Sequence, residues 1–395
     1  MPRVLEGRDS ISSHDHHGPF NANPIVTYQG TRPSSMESPF AVETNSHPIK
    51  GFERLMQLVS QSAIYHSDDR YDPPKCLQGT RVAVLDKIIN WATDMVDTDA
   101  FMLWLYGPAG VGKTAIARTV AEFCEAHGLL LASFHFSRTH SERNTMTSFV
   151  LNIVYCVTCA IPGACELINI AIEADPLILS DSVEAQFTKL VLEPLRLLVN
   201  QGYFSDRPFP RLVVIDGIDE CPSEDTQTDL IRLLSSSVAR YQLPLKYLIA
   251  SRPEIHLKQA VSLAGQQSTI SHLQLNDDSV AEGDIRIFLT HKFHEIKTCH
   301  PLRSQIPSTW PSEYQIDTLV RKASGLFMYA SLAVDFINSV HDSPPLQLDV
   351  VLNHDLPFTD LDFLSSQAQK SQPSFADPRS ERGSGDRLYG THLRG

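Results

Sequence analysis

One short segment has the residue types and spacing of a phosphate-binding loop. Its residues are Gly107, Pro108, Ala109, Gly110, Val111, Gly112, Lys113 and Thr114, in the pattern G-x-x-x-x-G-K-[ST]. The glycines let the backbone curl so that N–H groups converge on phosphate oxygens, and a following helix N-terminus adds partial positive charge. Lys113 is expected to reach the β- and γ-phosphates, and the Thr114 hydroxyl to bind Mg²⁺. With Ala115, which follows them, these residues predict a site for ATP or ADP and Mg²⁺.

A second segment, 211–220, is an apolar run that ends in three carboxylates. Asp216 stands at the tip of the expected strand, where a carboxylate can hold the hydration shell of Mg²⁺. Asp219 or Glu220 could orient or deprotonate an attacking water, and the sequence does not distinguish between them. The plainer alternative is three solvated acids after a strand.

Two arginines follow other apolar runs. Arg252 comes two positions after the end of the run 245–250, and ligands of open α/β sheets gather at the carboxyl ends of strands. A guanidinium there could sense the γ-phosphate, and the alternative is an ordinary surface arginine. Arg138, after the run 131–136, is a weaker candidate on the same grounds.

Apolar runs alternate with helical patterns through the middle of the chain. Strand-like runs lie at 101–106, 129–136, 211–215, 245–250 and 269–275. Helical patterns lie at 80–95, 113–126, 145–159, 183–200, 226–239, 280–297 and 314–339. Strands that are apolar throughout and separated by helices predict a parallel sheet covered on both faces. The expected fold is therefore α/β, a three-layer α/β/α P-loop NTPase with a mainly parallel sheet, followed by a small helical subdomain.

Composition limits the class of protein. The chain has 33 basic and 46 acidic residues and a net charge of −13, which argues against a coat for nucleic acid or anionic membrane. No apolar run approaches the roughly 20 residues of a membrane-spanning helix. Seven scattered cysteines predict reduced thiols, and Cys156 and Cys159 are expected to be buried core thiols rather than zinc ligands. We expect a soluble, cytoplasmic protein.

The chain divides into five segments by composition and pattern. Residues 1–50 and 365–395 are rich in Ser, Pro and Gly and are expected to be disordered. Between them we expect a helical lead-in at 51–100, an NTPase core at 101–278 and a helical subdomain at 279–364.

In combination these segments resemble the NACHT class of STAND signal-transduction ATPases, and in particular the nephrocystin-type NACHT proteins of mushroom-forming fungi. The resemblance covers about 51–364. The segments that carry it are 101–117, 212–221, 245–254, 72–76, 129–138, 175–178, 284–289 and 323–336.

The resemblance implies a switch that ADP holds closed and ATP opens for assembly or signalling, often in non-self recognition and cell death. Carried onto this chain, Lys113 and Thr114 serve phosphate and Mg²⁺, Asp216 serves the metal, and Arg252 is the sensor. The strand before Arg252 should lie between the strand that precedes Gly107 (the Walker A strand) and the strand that ends at Asp216 (the Walker B strand). The turn 324–327 should pack near the nucleotide, and protein partners or self-association are expected.

Relatives continue past 357–362 into further domains, whereas here the match stops near 364, so a short NLR-like protein without a ligand-sensing module is expected.

Three alternatives stay open: a nucleotide-binding scaffold without turnover, an AAA-type remodelling ATPase and a metabolic kinase. A remodelling ATPase needs an arginine finger from a neighbouring subunit, and a kinase needs basic residues in a lid. Neither feature can be assigned here, and no motif indicates whether the base is that of ATP or GTP.

Overall fold

The computed structural model describes residues 50–59, 74–97, 99–206, 209–266, 269–275 and 278–353. The ends predicted to be disordered, 1–50 and 365–395, lie outside these residues except for Lys50, which begins the first helix.

Five strands form one parallel sheet. They are β1 (Met102–Tyr106), β2 (Leu130–His135), β3 (Leu212–Asp216), β4 (Lys246–Ser251) and β5 (Ile270–Gln274). Their order across the sheet is β2-β3-β4-β1-β5, and each neighbouring pair is parallel. The strands match the five predicted runs, and β4 lies between β1 and β3, as the family resemblance implies.

The sheet separates two apolar cores, because successive side chains of a strand point to opposite faces. Met102 and Trp104 of β1 belong to one cluster of buried residues with Phe134 of β2. Leu103 and Leu105, which alternate with them, belong to the other cluster. Both faces are covered, so the predicted three-layer α/β arrangement is confirmed.

Nine helices are described before the end of the sheet. They are α1 (Lys50–Leu58), α2 (Val82–Ala92), α3 (Lys113–Ala126), α4 (Met146–Ala160), α5 (Pro162–Ala174), α6 (Val183–Phe187), α7 (Glu193–Asn200), α8 (Glu224–Tyr241) and α9 (Ile255–Gly265). A π-helical turn, Thr188–Leu192, joins α6 to α7 and makes the predicted helix at 183–200 continuous. Helices α2 and α3 cover one face, while α4, α5, α8 and α9 cover the other. The sequence prediction did not include α5 or α9, and it gave no separate bounds for α1 within the expected helical lead-in at 51–100.

Four more helices follow the sheet. They are α10 (Asp278–Cys299), α11 (Glu313–Ala323), α12 (Phe327–Ile337) and α13 (Pro344–Asn353), of which α13 was not predicted. The prediction of one helix over 314–339 is wrong. Ser324 and Gly325 have φ of 46° and 78°, and this left-handed backbone ends α11 three residues before α12 begins.

The described chain forms two compact units. The first comprises the described residues up to Phe288 together with Val320–Met328, and the second comprises Leu289–Leu319 and the described residues from Tyr329. In the second unit, the rings of Phe293 and Trp310 meet edge to face at 5.2 Å. The predicted division into a core at 101–278 and a subdomain at 279–364 stays a prediction.

Candidate functional site

The predicted phosphate-binding segment, Gly107–Thr114, connects β1 to α3 and is called the 107–114 loop below. Gly110 and Gly112 have φ of 82° and 95°, a region that side chains disfavour, so both turns require glycine. Gly112 stands at the N-cap of α3, and no side chain caps that helix. The first N–H groups of a helix have no partner within the helix, so this end offers them to an anion.

Lys113 begins α3 and folds back over the loop. Its ammonium group donates to the carbonyls of Gly107 at 2.9 Å and of Pro108 at 2.8 Å. These are neutral acceptors, so the positive charge of Lys113 is not paired with a carboxylate there. The cation is thus held at the mouth of the loop by the loop itself.

The other predicted residues converge on Lys113. Burial lowers the pKa of Lys113, and the charge of Arg252 lowers it further, against the opposing charges of Asp219, Asp216 and Glu220. Four other residues that the sequence analysis singled out therefore lie within electrostatic reach of Lys113. This follows from the fold, because the carboxyl ends of parallel strands share one edge of the sheet.

Asp216 ends β3 and is 6% exposed. Its Oδ2 atom lies 2.8 Å from Nδ1 of His135, its register partner on β2. Burial opposes protonation of the imidazole, but the hydrogen bond and charge of Asp216 outweigh it and raise the pKa of His135 above its ordinary value. His135 was not predicted, and strand register would have been needed to find it.

Asp219 and Arg252 form a close pair. The Nε atom of Arg252 lies 3.2 Å from Oδ2 of Asp219, and the Arg252 backbone N–H donates to Oδ1 at 3.1 Å. Both carboxylate oxygens are therefore engaged by the same residue. The Asp219 side chain is 9% exposed, whereas that of Arg252 is 51% exposed.

Glu220 lies beside Arg138, the weaker of the two arginine candidates. The Arg138 backbone N–H donates to Oε2 of Glu220 at 3.2 Å, and its Nη2 donates to the Asp219 carbonyl at 3.0 Å. Gln227 of α8 supports the same turn by donating to the Cys221 carbonyl at 2.6 Å. The acidic turn is thus held from β2 and from α8, and no sequence pattern indicated Gln227.

The donor set fits Mg²⁺. Thr114 supplies a hydroxyl and Asp216 a buried carboxylate, both of them the oxygen ligands that Mg²⁺ prefers. Within the described ranges, no group of three or more His, Cys, Asp or Glu side chains could hold a metal ion by itself.

The turn between α11 and α12 contacts the 107–114 loop. The backbone N–H of Met328, at the start of α12, donates to the Gly110 carbonyl at 3.0 Å. Leu326 packs against the core cluster that contains Val111. The resemblance implied such packing for 324–327.

All seven cysteines are unpaired. Cys156 is partly buried, and burial raises its pKa to about 12, so its thiol is unreactive. Cys159 is exposed, and the prediction that both are buried core thiols is wrong for it. The residue lies at the last turn of α4, where the helix presents it away from the core.

No helix in the described part of the chain is long and apolar enough to cross a bilayer.

Comparison with solved structures found similar chains with little sequence identity. Domain III of the Thermotoga maritima replication initiation protein DnaA has a TM-score of 0.36 and 9% identity, over 74% of this chain and 93% of that one. The FIGL-1 AAA domain in complex with ADP has a TM-score of 0.34 and 15% identity, over 85% and 94%. Scores this low carry no argument about this chain. No curated protein matches it.

The architecture described above, a parallel sheet with a glycine loop between β1 and α3, is that of a P-loop NTPase fold. The sequence model of the family described as Nephrocystin 3, N-terminal, matches residues 79–252. The match begins before α2 and ends at Arg252, so it spans the loop, both acidic residues of the turn and β4. The match covers residues 79–252, fewer than half of the chain, and within this segment the chain is similar to the nephrocystin 3 N-terminal family.

Proposed function

We propose that this chain is a nucleotide-operated switch of the NACHT/STAND type, which binds ATP or ADP with Mg²⁺ and hydrolyses ATP slowly. Residues 107–115 bind the phosphates, Thr114 and Asp216 hold the metal, and Arg252 senses the γ-phosphate. The family match over 79–252 supports this function, as does the sequence resemblance to NLR-like proteins of non-self recognition or cell-death signalling.

One observation carries the proposal. Three carboxylates and one guanidinium act electrostatically on Lys113, which stands at the uncapped start of α3 and donates to two carbonyls of the 107–114 loop. Phosphate needs N–H donors and a cation, and Mg²⁺ needs carboxylate and hydroxyl oxygens. The donors for phosphate and the oxygen ligands for Mg²⁺ lie at one edge of the sheet.

The two acids of the turn, Asp219 and Glu220, have different roles in the proposed function. Both oxygens of Asp219 are bound to Arg252, so Asp219 positions the sensor. Glu220 is half-buried and accepts one backbone N–H through Oε2. We assign the orientation of the attacking water to Glu220.

Calorimetry and thermal shift with ATP, ADP and GTP in the presence of Mg²⁺ test the proposal. A ligand at a hundredfold excess over its dissociation constant stabilises the native state by about 2.7 kcal/mol. Wild type should show that shift with adenine nucleotides, and Lys113→Ala should abolish it. Lys258→Ala, at an exposed position of α9, is the matched control and should behave as wild type. Well-folded wild type that binds no nucleotide would overturn the proposal.

The engaged acids favour a second candidate, a nucleotide-binding scaffold without turnover. Arg252 occupies Asp219 and the Arg138 backbone holds Glu220, so neither acid meets a water without rearrangement. Single-turnover release of phosphate from ATP decides between them. A slow release that Glu220→Gln removes supports the switch, and wild type that binds ATP but releases no phosphate supports the scaffold.

The proposed function also implies a cellular location and protein partners. Seven unpaired cysteines are typical of a reducing compartment, and we place the protein in the cytoplasm. Protein partners or self-association are proposed, with assembly favoured by ATP. Light scattering in ADP and in ATP measures the mass of the particle in solution. The mass of a monomer in both nucleotides would contradict self-association.

A further inference from the structure

Arg81 occupies an unusual place in the first unit. It is the residue before α2, and its φ of 58° and ψ of 21° lie in the left-handed region that disfavours side chains. Its side chain is nonetheless buried, with 7% of the residue exposed. A charged residue that is both strained and buried is rare unless the surrounding contacts hold it there.

The guanidinium binds the 107–114 loop from outside. Its Nη2 atom donates to the carbonyl of Val111 at 2.9 Å. A peptide group is planar and trans, so the N–H of Gly112 points away from the carbonyl of Val111. Fixing this carbonyl therefore fixes the direction of one N–H group that the loop offers to an anion.

The same side chain contacts two further elements of the first unit. The Arg81 backbone N–H donates to Oδ2 of Asp284 in α10 at 3.1 Å, and Nε lies 3.8 Å from that oxygen. The guanidinium also lies over the ring of Phe327, with its carbon 4.9 Å from the centroid. Phe327 begins α12, whose Met328 N–H holds the neighbouring loop carbonyl of Gly110.

The Arg81 pair is incompletely satisfied. Nε is buried without a hydrogen-bond partner, since 3.8 Å is too long. Burial lowers the pKa of Arg81 and raises that of Asp284, so each charge is poorly compensated. Buried ion pairs of this kind depend strongly on geometry. A small displacement of the loop carbonyl therefore changes the free energy of the contacts to α10 and α12.

We propose that Arg81 is a positioning residue, which holds the 107–114 loop in its anion-binding shape and links that shape to the beginnings of α10 and α12. This inference rests on the proposed function, because it assigns regulation to the same nucleotide site. Within the loop, the Arg81 side chain bonds the Val111 carbonyl rather than an N–H group, so its effect on the nucleotide is indirect.

The chain offers a matched control in Lys246. It is another buried cation, 4% exposed, which donates to a main-chain carbonyl, that of Trp91, at 2.6 Å and lies 5.1 Å from a ring centroid. It stands at the amino end of β4, away from the loop. Arg81→Met and Lys246→Met therefore remove the same kind of interaction from two ends of the sheet.

The test measures hydrogen exchange of the peptide 107–114 in the full chain without nucleotide, and then dissociation constants for ADP and ATP with Mg²⁺. Arg81→Met should speed exchange of the loop and weaken both nucleotides about tenfold or more. Arg81→Lys keeps the charge and one donor and should recover most of the affinity. Lys246→Met should lower the melting temperature comparably and leave loop exchange and affinity unchanged.

The outcomes separate this inference from the proposed function. Loop exchange in Arg81→Met equal to that of wild type overturns the inference, whether or not nucleotide binds. Faster exchange in a protein whose wild type binds no nucleotide supports the inference and defeats the proposed function. If Arg81→Met does not fold, Asp284→Asn is measured instead. The Asn side-chain oxygen can still accept the Arg81 backbone N–H, but the negative charge beside the guanidinium is removed. Unchanged loop exchange in that variant also overturns the inference.

Discussion

At the amino ends of the strands, Arg211 and Lys246 both pair with the carboxylate of Asp94, whereas at the carboxyl ends Lys113 donates to loop carbonyls and Asp216 contacts a histidine. Asp94 pairs with both cations, and Lys246 also donates to the Trp91 carbonyl. Groups paired in this way stabilise a structure and have little left to offer a ligand.

At the carboxyl ends of the strands, the cation Lys113 is not bonded to a carboxylate. Lys113 makes two bonds to neutral carbonyls, and its charge is opposed only at a distance by the three carboxylates. Such a site is preorganised for a phosphate ligand, because the charge of Lys113 is not neutralised by a bonded carboxylate. The comparison therefore separates a cluster that holds the fold from a cluster that awaits a ligand.

The largest expected effect is on stability at the amino end. Lys246→Met removes the charge that Asp94 and the Trp91 carbonyl depend on, and should lower the free energy of unfolding by about 2–3 kcal/mol. Urea unfolding measures this, with ATP affinity measured on the same variant. A stable Lys246→Met protein, or one with weakened ATP affinity, would break the comparison.

The next effect is on the metal. Asp216→Asn keeps the shape of the side chain and removes the charge, so the gain in ATP affinity from adding Mg²⁺ should fall roughly tenfold. Calorimetry with ATP in EDTA and in Mg²⁺ measures it. Asp229→Asn, at an exposed position of α8, is the control and should retain the full gain. Equal gains in both variants would remove Asp216 from the metal site.

A smaller effect is expected at the arginines. Arg252→Gln should weaken ATP about three- to tenfold and leave ADP unchanged, since only ATP has a γ-phosphate to sense. Arg211→Gln, its counterpart at the amino end, should lower stability and leave the ratio of the two affinities unchanged. If the two variants change that ratio alike, Arg252 is not a sensor.

The smallest effect concerns pH. Burial raises the pKa of Asp94, but Lys246 and Arg211 outweigh it and hold that pKa below its ordinary value of 3.8. The pair therefore adds stability above the unfolded-state pKa, and this is lost as pH falls through the lower folded-state pKa. Because the side chain is 36% exposed, the contribution is about 0.5–1 kcal/mol. The stabilities of wild type and Asp94→Asn should therefore converge as pH falls from about 5 to about 2, and a constant gap would contradict the pairing.

The local signals of the sequence predicted much of this fold. A glycine loop between an apolar run and a helical pattern identified β1, the 107–114 loop and α3, because strand, turn and helix propensities there agree. Asp216 at a strand tip was predicted for the same reason. The place of β4 between β1 and β3 came from the family resemblance, since no local pattern encodes strand order.

Other features depend on contacts distant in sequence. Arg81 and Asp284 are 203 positions apart, and nothing near either residue indicates the other. His135 meets Asp216 only through the register of two strands. Gly325 was a readable signal for the end of α11, but the apolar periodicity on both sides of it favoured one long helix.

The place of β1 in the sheet also affects synthesis of the chain. β1 pairs with β4 and β5, and Tyr106 of β1 meets Gln274 of β5 across 168 positions. On a ribosome that adds about 5–20 residues per second, the strand before the 107–114 loop waits roughly 10–30 s for its second neighbour. Contacts this far apart also slow folding. The loop is translated early but gains its full support late, because a nascent chain that ends before Gln274 lacks the complete β5, the second neighbour of β1.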